Sequence, residues 1–184
     1  VIYGDNSGDT HALYAKNGSE KWVHNDGGNR VYEVAVGPDS EFVYNADSDD
    51  QVDKIYFKNG TEETDFNSDG DAREVSVSPS GDYVYVGDIS PSLVKIQTSD
   101  MTQVWEDTSF GNAPAGIGIA PDGSEVYAED GGVIEWFSSS GSLDTSFSGH
   151  SSDVNEISTG AVYPQTPTYS INGTVTDANG TALE

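Results

Sequence analysis

The 184-residue chain contains no cysteine, which removes disulfides, thiol catalysis and thiolate-ligated metals together. Basic residues are scarce as well. Lys16, Lys21, Arg30, Lys54, Lys58, Arg73 and Lys95 are scattered along the sequence. Seven such cations cannot form a stripe that tracks phosphates, so no nucleic-acid partner is expected. No apolar run approaches the roughly 20 residues of a membrane-spanning helix, so no membrane insertion is expected in this segment. No signal peptide is present, and Val1 begins in mid-repeat, so the chain reads as a piece of something longer.

What is abundant is acid. Thirty-two Asp and Glu give a formal charge of −25 and a pI near 4.1, and 20 of the 32 are Asp. A solvated face or disorder is the usual meaning of such a bias; disorder does not fit here, because the apolar residues are periodic and the chain carries 10 Tyr, 6 Phe and 3 Trp. A folded protein this acidic repels itself in dilute buffer. With a Debye length of about 3 Å in 1 M salt, the repulsion nearly vanishes. The composition therefore predicts a hypersaline milieu, a halophilic archaeon or one of its viruses. The alternative is an acidic extracellular protein from elsewhere.

One phrase occurs three times: VGPDSEFVY (36–44), VSPSGDYVY (77–85) and IAPDGSEVY (119–127). Its prolines, Pro38, Pro79 and Pro121, are 41 and 42 residues apart; so are Tyr44, Tyr85 and Tyr127, and Tyr3 lies 41 before Tyr44. A period of about 40–45 residues holding several short strands marks a β-propeller blade. An alternating run such as Val34-Ala35-Val36 gives a first strand, a Pro-led turn reverses the chain, and the Tyr-bearing run returns as a second. First strands are expected at 33–36, 74–77 and 116–119, innermost and antiparallel to second strands at 42–45, 83–86 and 125–128. Ala35, Ser76 and Gly118 are all small, as crowding at the centre of a ring demands. Leu13, Ile55, Ile96 and Trp136 are read as one third-strand column, and Trp22, Phe66, Trp105 and Phe147 as a fourth-strand column. Asn17-Gly18 and Asn59-Gly60 supply turn signals between them.

The predicted fold is thus all-β, a β-propeller with four-stranded blades. Residues 1–162 hold about four blades, entering in a second strand and leaving in a first, 154–158. Either both termini close a four-bladed ring, with 154–158 pairing beside Val1–Tyr3, or the segment is an arc of a larger one. Residues 163–168 form a Pro-rich linker, and 169–184 alternate apolar and polar residues before a turn at 177–180.

The phrases at 78–86 and 120–128 resemble YVTN-type and WD-repeat-type blades of the quinoprotein-like class. In WD repeats a Gly-His pair opens the blade and a turn Asp precedes a third-strand Trp. Gly149-His150, Asp130 and Trp136 match those positions, but once each, so the divergent YVTN or quinoprotein-like class is the better match, over about 160 residues. The resemblance implies a ligand-binding or interaction scaffold. The terminal GTVTDANGTALE (173–184) resembles the opening strand and turn of carboxypeptidase-regulatory-like β-sandwich modules, common in surface and secreted proteins.

Catalytic chemistry is not evident. His11, His24 and His150 are assigned to different repeats and lack metal-ligand spacing, and the serines at 138–140 and 151–152 have no nucleophile elbow. Asp65-Phe-Asn67-Ser-Asp69-Gly-Asp71 matches the first half of a calcium loop, with Asp65, Asn67, Asp69 and Asp71 as candidate Ca2+ ligands. The second half fails at Arg73 and Ser76, and a solvated interblade loop is the competing reading. No other cofactor is expected. Phe110, in a connecting loop, is the candidate aromatic anchor for binding, weighed against folding back onto its blade.

The expected function is non-enzymatic: an extracellular module on a cell or virion surface, such as a viral spike or tail fibre, binding a protein or glycan partner through propeller loops. Homo-oligomerisation would accompany a fibre or spike. The alternative is a propeller enzyme or small-molecule binder, quinoprotein- or lyase-like, using the central channel.

Overall fold

The computed structural model describes residues 1–25, 27, 30–148, 154, 157 and 159. Every element among them is a strand. The first sheet holds β1 (Ile2–Gly4), β2 (Asp9–Leu13) and β3 (Glu20–Asn25). The second holds β4 (Val31–Val36), β5 (Phe42–Asp47), β6 (Gln51–Tyr56) and β7 (Glu62–Asn67). The third holds β8 (Ala72–Val77), β9 (Tyr83–Asp88), β10 (Ser92–Gln97) and β11 (Thr102–Asp107). The fourth holds β12 (Ile117–Ile119), β13 (Glu125–Asp130), β14 (Val133–Ser138) and β15 (Leu143–Phe147). Within each sheet the strands lie in chain order and pair antiparallel, one three-stranded meander followed by three four-stranded ones.

The repeated phrase has its physical cause in this register. Ala35 lies opposite Tyr44, Ser76 opposite Tyr85 and Gly118 opposite Tyr127, so each small first-strand residue faces a large second-strand ring. Crowding adds a second reason at Gly118, where a Cβ would sit 2.6 Å from Ile157. Innermost strands of successive sheets touch: β1 meets β4, β4 meets β8 and β8 meets β12. Across these contacts Glu33 accepts a hydrogen bond from the Val75 amide at 2.9 Å, and Ser76 donates one to the Ile117 carbonyl at 2.9 Å.

The cores lie between sheets. Ala12, Trp22, Val43 and Ile55 join the first to the second. Tyr44, Ala46, Val75, Val84 and Ile96 are among those joining the second to the third. Tyr85, Leu93, Phe110, Ile119, Val126 and Phe137 join the third to the fourth. This is face-to-face blade packing, and the fold is a β-propeller arrangement. Val154, Ile157 and Thr159 continue it beside the fourth sheet, with Thr159 donating to the Ile119 carbonyl at 2.5 Å and the Val154 amide reaching Glu129 at 3.3 Å. Pairing of 154–158 with Val1–Tyr3, the linker at 163–168 and the sandwich at 169–184 lie outside the described residues.

Two expected columns need correction. A β-bulge interrupts each third-to-fourth strand ladder, between Ala12 and Leu13, Lys54 and Ile55, Lys95 and Ile96, and Trp136 and Phe137. Phe137, not Trp136, is therefore the equivalent of Ile55 and Ile96, and all three are fully buried. In a strand a one-residue offset moves a side chain to the other face. On the fourth strands, Trp22 and Trp105 are equivalent, lying opposite Ala12 and Lys95, whereas Phe66 and Phe147 sit two residues further on, opposite Val52 and Ile134.

Candidate interaction faces

One face of the propeller carries the turns between first and second strands and between third and fourth. Here the blades are latched. The carbonyls of Phe57, Thr98 and Ser139, each 41 residues from the next, accept a lysine ammonium from the preceding blade: Lys21 at 2.8 Å, Lys54 at 2.8 Å and Lys95 at 2.7 Å. Two indoles join them, Trp22 donating to Phe57 at 2.9 Å and Trp105 to Ser139 at 3.2 Å. Each indole lies against a glycine with positive φ, Gly60 and Gly141, where a Cβ would meet the ring at 2.7 and 2.8 Å.

Lys54 and Lys95 are only 5% and 4% exposed. Lys54 lies over the Phe42 ring at 4.1 Å and pairs with Glu63 at 2.5 Å, which holds the Glu63 carboxyl below its ordinary range. Lys95 lies over Tyr83 at 3.9 Å and Tyr85 at 5.5 Å, and burial pulls its ammonium pKa down. The same burial pushes the Tyr44 and Tyr85 phenols up to about 12. Open hollows flank both lysines, one of about 240 Å³ at Lys54 and one of about 450 Å³ at Lys95.

The opposite face carries the turns between second and third strands. Asp5, Asp47 and Asp88, at 42- and 41-residue spacing, each accept turn amides: Ser7 and Asp9 on Asp5, Asp49 and Gln51 on Asp47, Ser90 on Asp88. Asp88 also accepts the Ser92 hydroxyl at 3.0 Å. Burial raises the Asp88 pKa, whereas the amides of Asp9 and Ser7 lower that of Asp5. Asp130 occupies the same chain position in the fourth sheet. The turn aspartate thus belongs to every blade and not to the last alone. Nearby, Arg30 and Arg73, both of the chain's arginines, stack on one ring, Tyr32, at 4.6 and 5.2 Å.

The site residues expected from sequence fall as follows. Phe110 is a correction: it is 6% exposed and stacks on Phe137 with ring centres 5.7 Å apart, so it is a core residue and no surface anchor. Its loop closes over the apolar face between the third and fourth blades, and burying a phenyl ring there outweighs leaving it in water. Asp65 and Asn67 end β7, and the Asn67 amide donates to Asp65 at 2.8 Å. Asp71 accepts the Tyr32 hydroxyl at 3.2 Å, and the Asp69 carbonyl accepts Ser90 at 2.8 Å. Gly70 is required by a close approach, since a Cβ there would meet Ser90 Oγ at 2.6 Å. Asp65, Asp69 and Asp71 do not converge as a ligand set. Among the described residues the group of three that does is Asp5, Asp9 and His11.

His11 and His24 are also a correction. They lie on paired strands of the first sheet, not in different blades, with His11 3.3 Å from Asp5 and His24 3.9 Å from Asp53. His150 lies outside the described residues. The lysine column was within reach of sequence reading, because Lys54 and Lys95 keep the 41-residue period; taken as scattered, the cations hid it.

No family model matches the chain. No curated protein matches it either. Solved structures do. The chain is similar to the structure of U3-55K, a WD-repeat β-propeller, with a TM-score of 0.67 at 15% identity over 72% of this chain. It spans 46% of that chain, about half its length. In all, 1312 solved chains resemble this one, so the likeness identifies a widely used architecture and no activity.

Proposed function

We propose that this chain is a non-enzymatic binding module of a halophile's cell or virion surface, contacting a protein or glycan partner through its loop faces in concentrated salt. The observation that carries the reading is where the cations are. Lys21, Lys54, Lys95, Arg30 and Arg73, five of seven, are spent on blade junctions or on one tyrosine ring. The surface left to solvent is overwhelmingly acidic, a distribution that dilute buffer penalises and brine tolerates. Screening beyond about 3 Å in molar salt removes long-range steering, so contact must come from short-range groups on the loops.

The test is adsorption of the purified chain to haloarchaeal envelopes in molar sodium chloride, with an unrelated acidic protein beside it. Saturable adsorption is expected. No adsorption, combined with turnover of a sugar or alcohol, would establish the enzyme reading in its place.

A further inference from the structure

The second and third blade junctions share one plan and differ, among other positions, at the bulge residue beside the lysine. In both, a third-strand lysine reaches a carbonyl of the next blade's turn, Lys54 to Thr98 and Lys95 to Ser139. In both, the fourth strand carries an extra bulge residue opposite that lysine. At the second junction this residue is Glu63, opposed between Thr64 and Glu62; at the third it is Val104, between Trp105 and Gln103. Glu63 places its carboxylate on Lys54 at 2.5 Å. Val104 places none on Lys95, and it is half exposed beside the hollow.

Lys95 is thus a buried ammonium with one carbonyl and two tyrosine faces, and among the described residues no carboxylate lies within ion-pair distance of it. Asp122, on the rim, is already committed to its own turn, accepting the Ser124 amide at 3.0 Å and hydroxyl at 2.6 Å. The hollow over Lys95, about 450 Å³, is larger than its counterpart and ringed by the hydroxyl-bearing residues Ser78, Ser80 and Ser140. Lys95 as a residue is 4% exposed, and its ammonium, with N–H donors to spare beside the hollow, is placed to gain from a counter-charge that arrives there.

We propose that the hollow at Lys95 is a binding site for a carboxylate, supplied by a glutamate-like side chain of a polypeptide partner in the place Glu63 occupies at the second junction. The inference rests on the binding-module reading and names the chemistry of one contact. A net charge of −25 does not oppose it in brine, because the distant carboxylates are screened while a contact pair of under 3 Å is not. Partner surfaces in the same milieu are expected to be acidic, so such side chains would be plentiful.

The experiment titrates the full chain, lysine-labelled for NMR, with glutarate in molar sodium chloride, assigning the Lys95 ammonium by its loss in Lys95→Gln. A saturable shift at Lys95 and none at Lys54 is expected. Val104→Glu should supply the carboxylate internally, leave the fold intact by circular dichroism, and weaken glutarate binding at least about tenfold. Sulfate binding as tightly as glutarate would overturn the carboxylate assignment, and glucuronate binding more tightly than an acetylated glutamyl peptide would overturn the polypeptide source. No shift at Lys95, or equal binding by Val104→Glu, would overturn the site. Because glutarate reads the hollow alone, a negative titration beside intact envelope adsorption would leave the module reading standing.

Discussion

The glycine–indole latch makes a sharp prediction because the chain contains its own control. Gly18 and Gly60 occupy equivalent turns, with φ of +69° and +74°. A Cβ at Gly18 meets nothing within 4 Å, whereas at Gly60 it would lie 2.7 Å from the Trp22 ring of the preceding blade. Gly18→Ala should therefore cost only the left-handed backbone penalty, about 1–2 kcal/mol. Gly60→Ala adds overpacking of about 1–3 kcal/mol, for a total of about 2–5 kcal/mol. In a Trp22→Leu background the clash is relieved and the Gly60→Ala increment should fall back towards that of Gly18→Ala. The assay is urea unfolding in molar sodium chloride followed by far-ultraviolet circular dichroism, read as a double-mutant cycle. Equal costs at the two glycines, or no coupling to Trp22, would refute the packing of the first blade against the second.

Three further outcomes are expected. Transfer from molar salt to about 0.05 M should unfold the chain, because the Debye length then exceeds 10 Å and the surface carboxylates repel together; a melting temperature indifferent to sodium chloride would remove the halophile argument. Phe110→Ala should lower stability by about 3–5 kcal/mol, as core truncation does, and leave envelope adsorption by the remaining folded fraction unchanged. The pH profile should carry two opposed contributions. Glu63, lowered by Lys54, contributes stability above the ordinary carboxyl value of 4.5 that is lost as pH falls through its folded value. Asp88, raised by burial, contributes in the other direction, its share fading as pH rises from 3.8 through its folded value, so Asp88→Asn should flatten the alkaline side of that window.

The blade period was legible because it is written in residues whose backbone roles are narrow: proline after a first strand, tyrosine opposite a small residue, Asn-Gly in a turn. The four-strand order followed from it. The third-strand column failed at Trp136 because Trp is a more conspicuous letter than the Phe137 beside it, although Phe137 is the residue that keeps the 41-residue spacing from Ile55 and Ile96. Phe110 was misplaced because a short polar loop says nothing about whether its one ring turns inward; the apolar face that receives it is built from residues 7 to 27 positions away, Ile117 and Phe137 among them. The turn aspartates were seen only once, at Asp130, because Asp is too common here for a single-residue column to stand out. Burial of the lysines was illegible for a different reason. A lysine alternating with apolar residues on a strand reads as an outward-facing residue until the neighbouring blade is placed over it.

That burial separates the chain's charges into two populations with different ranges, and the separation can be measured. Surface carboxylates act over many ångströms and respond to salt. The lysine latches act over 2.7–2.8 Å inside blade junctions and should not. Lys54→Met keeps the apolar stem over Phe42 but leaves the Thr98 carbonyl without its ammonium and Glu63 with the Tyr56 hydroxyl but no cation. A lost hydrogen bond from a charged donor to a buried acceptor costs about 1.5–3 kcal/mol, while Glu63, on the rim, regains water. Lys58→Met, on an exposed turn residue, should change stability by no more than about 0.5 kcal/mol. Measured by urea unfolding at 1 M and about 4 M sodium chloride, the Lys54→Met loss should be the same at both concentrations, since contacts of 2.5–2.8 Å leave no room for screening ions between the charges. A loss that shrinks with added salt would mean that Lys54 acts through the surface field, and the junction would no longer be the reason this acidic chain retains its lysines.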